Sequence, residues 1–102
     1  MDIDLSKIKQ FDWNKGNLDH IKNHNVTKEE CEEAILNKHP SITKDDTHSQ
    51  LEDRYRLYGQ ANNGRHLFMI VTIREDKIRV ISARDQNKKE LAEFKKTGGE
   101  NL

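Results

Sequence analysis

A single cysteine, Cys31, excludes an internal disulfide. No apolar run reaches the length of a secretory leader or a membrane helix, so a cytoplasmic location with no membrane partner is expected. An excess of either charge is missing as well, since 18 Lys or Arg stand against 18 Asp or Glu. A net charge of zero argues against tight non-specific binding to nucleic acid, which needs several unopposed phosphate contacts. No internal repeat or low-complexity segment is present. Hydrophobic residues make up only 32% and charged residues 35%, a balance that leans toward disorder when spread evenly.

The distribution is not even. The 102 residues suffice for one domain with one core over 1–102, and most aliphatic residues fall in RYRLYGQANNGRHLFMIVTIREDKIRVISAR, from Arg54 to Arg84. This stretch reads as a three-stranded antiparallel meander with strands at about 54–61, 65–74 and 77–84. Asn62-Asn63-Gly64 offers the positive backbone dihedrals a tight hairpin needs, and Glu75-Asp76 separates two β-branched runs. With two-residue turns at Asn63-Gly64 and Glu75-Asp76, alternation puts Tyr55, Leu57, Gly59, Phe68, Ile70, Thr72, Arg79, Ile81 and Ala83 on one face. The opposite face then carries Arg54, Arg56, Tyr58, Gln60, Leu67, Met69, Val71, Ile73, Ile78, Val80, Ser82 and Arg84. The first face is the expected floor for helices, the second the expected functional face. A three-residue turn at Asn62 to Gly64 would flip the first strand.

Elsewhere the signals are local. Residues 1–10 read as a loose arm. Phe11-Asp12-Trp13 is a short apolar lead-in, and Asn14 caps a helix through Leu18, Ile21 and His24 that ends at Asn25. Thr27 and Glu30 form a capping box that opens a second helix with Cys31, Ala34 and Ile35 inward. Lys38-His39-Pro40 stops it, because proline disfavours helical geometry in the residue before it. Residues 41–52 are polar and read as an edge strand, a loop, or both. Asp85 to Lys96 reads as a third helix, and 97–102 as a frayed tail.

Charge divides along the chain. Residues 1–53 hold 7 basic against 12 acidic side chains, and residues 54–96 hold 11 against 5. A polyanion would meet the second part. His20 and His24, four apart, would share a helix face in the manner of zinc ligands, but no third ligand accompanies them, and the helix C-terminus is the better account of His24. No metal and no cofactor is expected. Cys31, Phe11 and Trp13 read as core residues.

Phe11-Asp12-Trp13, Asn17, His24, Val26-Thr27, Glu29-Glu30, Arg54 with Gly59, Gly64-Arg65 and above all Ile78-Arg79-Val80-Ile81-Ser82-Ala83-Arg84 with Lys89-Glu90 resemble BrnT-type toxins over about residues 11–95. The resemblance implies a RelE-like α+β fold, with two N-terminal helices, an antiparallel sheet and a C-terminal helix. It also implies a ribonuclease that arrests translation and is neutralised by a BrnA-like antitoxin with a ribbon-helix-helix part, so that operator DNA is reached only through the antitoxin. The chain departs from the family pattern in being electrically neutral, in carrying Asn25 where glycine follows the histidine, and in being less basic over Asp85 to Asn87.

Metal-free RNA cleavage needs a base for the 2′-hydroxyl, cations for the charge building on phosphorus, and an acid for the leaving oxygen. Arginine suits the second task, because its planar fork grips phosphate through paired hydrogen bonds. The catalytic candidates are Arg54, Arg79, Arg84, Glu52 and His24, with Glu52, His24, His66 and Tyr58 all open as acid or base. Arg56, Tyr58, Arg74 and Lys88 are the expected RNA contacts. Each has a plainer reading: Arg54 and Arg56 as edge-strand charges that block aggregation, Arg79 as half of a structural ion pair with the acidic part. The alternative function is a non-catalytic RelE-like interaction module or co-repressor subunit. A third is a small RNA-binding domain unrelated to toxins.

Overall fold

A computed structural model describes residues 5, 8, 10–37, 40–45 and 53–96. The elements run β1 (Gln10–Phe11), α1 (Lys15–Lys22), α2 (Lys28–Leu36), β2 (Ser41–Lys44), β3 (Arg54–Gln60), β4 (His66–Arg74), β5 (Lys77–Asp85) and α3 (Lys88–Lys96). They form an α+β fold with one five-stranded sheet of order β1-β5-β4-β3-β2.

Both N-terminal helices start where side chains satisfy the first backbone amides. Asn14 accepts from the amide of Asn17, whose side chain accepts from the amide of Asn14 in return. Thr27 and Glu30 make the same reciprocal pair at α2. The first helix ends at Lys22, before His24, and Asn25 takes a left-handed φ of 57° on the way to α2. The inward residues Ile21, Cys31, Ala34 and Ile35 are buried, as expected for Cys31. At α2's end, Asn37 donates to the Gln60 carbonyl and the Asn62 side chain, fastening the helix to the β3–β4 loop.

The strands fall close to their expected bounds, but two local features change which side chains share a face. The Ala61 amide bonds the Arg65 carbonyl and the Gly64 amide bonds the Ala61 carbonyl, with Gly64 at φ 91°. Residues 62–64 therefore make a three-residue loop, and β3 is flipped relative to the two-residue reading. The second feature is a bulge in β5: Ile70 pairs with Ser82 and Val71 with Val80, leaving Ile81 as the extra residue. It turns Ala83 into the core and Ser82 and Arg84 out of it. The core face consequently holds Leu57, Leu67, Met69, Val71, Ile78, Val80 and Ala83, all buried. The open face of β4 is Phe68, Ile70 and Thr72, which were expected against the helices.

The expectation of a purely antiparallel sheet is also corrected. β2 to β5 run antiparallel, whereas β1 lies parallel to β5, with Phe11 beside Ile78, so the sheet is mixed. Of the segment expected as a loose arm, Leu5 and Ile8 pack against the core and Gln10 opens β1. Ser41–Lys44 forms the edge strand, while the tail 97–102 lies outside the described residues. Helix α3 starts at Lys88, because Asp85 still belongs to β5.

The helices divide between the two faces. α1 and α2 cover the core face, where Gly59 permits close approach: a Cβ there would collide with the Ala34 carbonyl oxygen. Helix α3 crosses one end of the open face, with Phe94 buried edge-on to His66 at 5.9 Å.

Candidate RNA-binding face

On the open face the register stacks side chains into rows that cross the strands. One row runs Ser41, Tyr58, Phe68, Arg84; the next runs Thr43, Arg56, Ile70, Ser82; a third holds Arg54, Thr72 and Arg79. Successive rows on one face lie about 7 Å apart, two residues along a strand. Arg84 thus shares a row with Tyr58, Arg56 lies one row away, and Arg54 and Arg79 lie two rows away.

The first row is tightly built. The Arg84 guanidinium sits 4.4 Å over the Phe68 ring, a cation–π contact, and Phe68 packs on Tyr58 at 5.1 Å. Arg84 also donates to both oxygens of Glu90, at 2.7 and 2.9 Å. Glu90 is fixed in turn by the start of α3: it exchanges backbone and side-chain bonds with Asn87, a capping box. The hydrogen bonds from Arg84 hold the Glu90 carboxyl below its ordinary value, and Glu90 holds the guanidinium above its own. Burial pushes the Tyr58 phenol up, and the Glu90 charge adds to that. The phenol therefore keeps its proton through the neutral range.

The other arginines stand in different settings. Arg79 donates through Nε and Nη2 to a single oxygen of Asp12, at 3.1 and 2.8 Å, so the plainer reading, an ion pair with the acidic part of the chain, describes it. This pair lines a cleft of about 200 Å³ with Thr72, Arg74, Glu75 and Lys77 at the β4–β5 turn. Arg54 faces the same side as Arg79. Lys88 is exposed at the start of α3.

Not every candidate converges here. His24 follows α1, behind the sheet, where its carbonyl accepts from Arg65. It is on the opposite layer from Arg84. His66 lies on the open face beneath Phe94. Glu52 falls outside the described residues. Among the described residues no group of three or more His, Cys, Asp or Glu is clustered to hold a metal ion. Cys31 is fully buried, and burial pushes its thiol up to about 12.

Sequence reading carried Glu90 and Arg65 only as parts of the family resemblance and assigned neither a partner. Glu90 could have been found from Asn87-Lys88-Lys89-Glu90, the spacing of a capping box. Arg65 carries no such spacing, yet its guanidinium engages four groups. It donates to Asp85 through Nε and Nη2, to Glu30 and the Asn25 carbonyl through Nη1, and to the His24 carbonyl through Nη2. The hydrogen bonds to Arg65 hold Asp85 below its ordinary value. For Glu30, partial burial pushes the carboxyl up, but bonds from Thr27 and Asn63 and the nearby Arg65 outweigh it, and the net shift is downward. Arg65 ties the α1–α2 connection, α2 and the end of β5 together.

Residues 11–90 match the family model described as the ribonuclease toxin BrnT of type II toxin–antitoxin systems. The chain belongs to this family. No curated protein matches it. The BrnT segment contains all three rows of the open face and Glu90, whereas the last two turns of α3, with Glu93 and Phe94, lie beyond it. Membership in a toxin–antitoxin family implies an antitoxin partner. No helix among the described residues is long and apolar enough to cross a membrane.

Proposed function

We propose that this BrnT chain is an endoribonuclease that inhibits translation without a metal, working on the open face around Arg84. The observation that carries the reading is the Tyr58–Phe68–Arg84 row, where a guanidinium, an aromatic platform and a protonated phenol meet. Arg84 and Arg56 would grip the scissile phosphate, and positive charge held there beforehand stabilises the dianionic transition state. Tyr58 has the protonation state of a general acid for the leaving oxygen. Glu90 would orient Arg84 without touching RNA. Phe68 and Tyr58 offer rings on which an unpaired base can stack, the usual way single strands are held.

The partner of this reading is a BrnA-like ribbon-helix-helix antitoxin, with operator DNA reached through it. The test is growth on induced expression of the wild type and of Arg84→Ala, each with and without the antitoxin, both proteins being checked for folding. Arrest by the wild type that the antitoxin relieves and Arg84→Ala abolishes supports the reading. No arrest from folded wild type overturns it.

A second reading has one observation in its favour: Arg84 and Arg79 are each already engaged by a carboxylate. On that account the chain is a non-catalytic RelE-like interaction module or co-repressor subunit. It predicts co-repression with the antitoxin and no RNA cleavage by the purified protein, with or without a chelator.

A further inference from the structure

The open face is cationic along β3 to β5, yet α3 places a second glutamate at its rim. Glu93 lies one turn beyond Glu90, and with Ser41, Tyr58 and Phe94 it lines a cleft of about 170 Å³. Glu90 is bound by Arg84. Among the described residues Glu93 meets only Lys96, at 3.6 Å, with both side chains largely exposed, a pairing worth little. A carboxylate beside a polyanion site repels phosphate. Its placement makes chemical sense if it accepts hydrogen bonds from a base.

We propose that this cleft takes a guanine of single-stranded RNA, with Glu93 reading the base's N1–H and N2–H₂ edge. The inference rests on the RNA-binding reading of the same face. Ionised carboxylate offers two parallel acceptors. Guanine alone presents two adjacent donors to them; adenine and cytosine place an acceptor beside their amino group, and uracil flanks its single N–H with two carbonyls. The cleft is well below the roughly 300 Å³ of pockets for drug-sized ligands, a size suited to one planar heterocycle. Tyr58 and Phe94 supply apolar walls, and the Ser41 hydroxyl, next to Tyr58 across β2 and β3, can donate to the guanine carbonyl. Because Tyr58 also belongs to the Arg84 row, a base seated here has its phosphate beside Arg84 and Arg56. Glu93 is then a specificity-determining residue.

The probes are the four nucleoside 3′-monophosphates, titrated into the full chain and followed through the amide resonances of Ser41, Tyr58 and Glu93. Guanosine 3′-monophosphate is expected to bind about tenfold or more tightly than the others, the discrimination typical of a bidentate contact. Glu93→Gln keeps the size but replaces one acceptor with a donor, so it should erase the preference while retaining phosphate-driven binding. Ser41→Ala, which leaves α3 intact, should weaken guanine binding less. Equal binding of all four nucleotides, or a guanine preference that survives Glu93→Gln, overturns the proposal. So does a cleft that binds no nucleotide but is shielded by the antitoxin, which would mark a protein contact. The two readings fail separately. Guanine preference without RNA cleavage sinks the ribonuclease reading alone, and Arg84-dependent cleavage without base preference sinks this one alone.

Discussion

Arg84 is held by a carboxylate before any phosphate arrives, and this decides what its replacement should do. Its bidentate contact with Glu90 through both terminal nitrogens, with the guanidinium over the Phe68 ring, fixes the guanidinium plane. Arg84→Ala is expected to lower RNA cleavage about 100-fold or more, the usual loss when one transition-state charge contact is removed. Arg84→Lys keeps the charge but loses the paired geometry, and should recover little of the rate. Cleavage kinetics on the purified variants check both. Arg65, by contrast, is a structural clamp. Arg65→Ala removes the cationic partner of Glu30, which keeps its bonds from Thr27 and Asn63, and frees two carbonyls, so a loss of about 1–3 kcal/mol is expected in urea unfolding, with cleavage by the remaining folded protein unchanged. At this scale the sequence was legible by residue type and not by partner. A carboxylate from the acidic first half of the chain was one of two readings of Arg79, beside phosphate, and the sequence did not choose between them: Asp12 is 67 residues away, and nothing local names it.

The elements themselves were readable wherever the signal was short-range. The Asn14 cap, the Thr27–Glu30 capping box and the three long strands follow from neighbours in sequence, whereas α2 ends at Leu36, ahead of the expected stop at Lys38-His39-Pro40, of which Lys38 and His39 lie outside the described residues. Face assignment did not, because it hangs on turn length and on one extra residue. The loop at 62–64 and the bulge at Ile81 each invert a strand segment, and the two inversions cancel for Arg54, Arg56, Tyr58 and Arg84, which share a face as expected. Nothing cancels them for Arg79 and β4: Arg79 joins Arg84, and Phe68 replaces Leu67 on the open side. A bulge has no reliable sequence mark when the extra residue is an isoleucine, which suits either register. Gly59 belongs to this scale too. Gly59→Ala drives a Cβ into the Ala34 backbone and forces α2 away from β3, so it should cost about 1–3 kcal/mol, read as a lower unfolding midpoint. Thr27→Ala, which removes the cap of the same helix, should cost about 1 kcal/mol.

For the whole molecule, zero net charge means that RNA attraction comes from the open face rather than from the chain as a whole. If Arg54, Arg56, Arg79 and Arg84 are the phosphate contacts, the logarithm of RNA affinity should fall against that of salt with a slope no steeper than about −3, near −0.7 per contact. A filter-binding series across salt concentrations measures it. Acid acts on the structure through the carboxylates that arginine holds. Glu30 and Glu90 lie below their ordinary value of 4.5 and Asp85 below 3.8, so each adds stability that is complete above those values and lost as pH falls through the lowered ones. Stability should therefore decline below about pH 4.5, and Arg65→Ala should flatten that decline, with the exposed Asp85 contributing least. The central claim is that the Arg84 row cleaves RNA. Its most direct test is the rate at which purified wild type and Arg84→Ala, both shown to be folded, cut single-stranded RNA in the presence of a chelator. The account predicts cleavage by the wild type and a loss of about 100-fold or more in the variant; equal rates from the two proteins would contradict it.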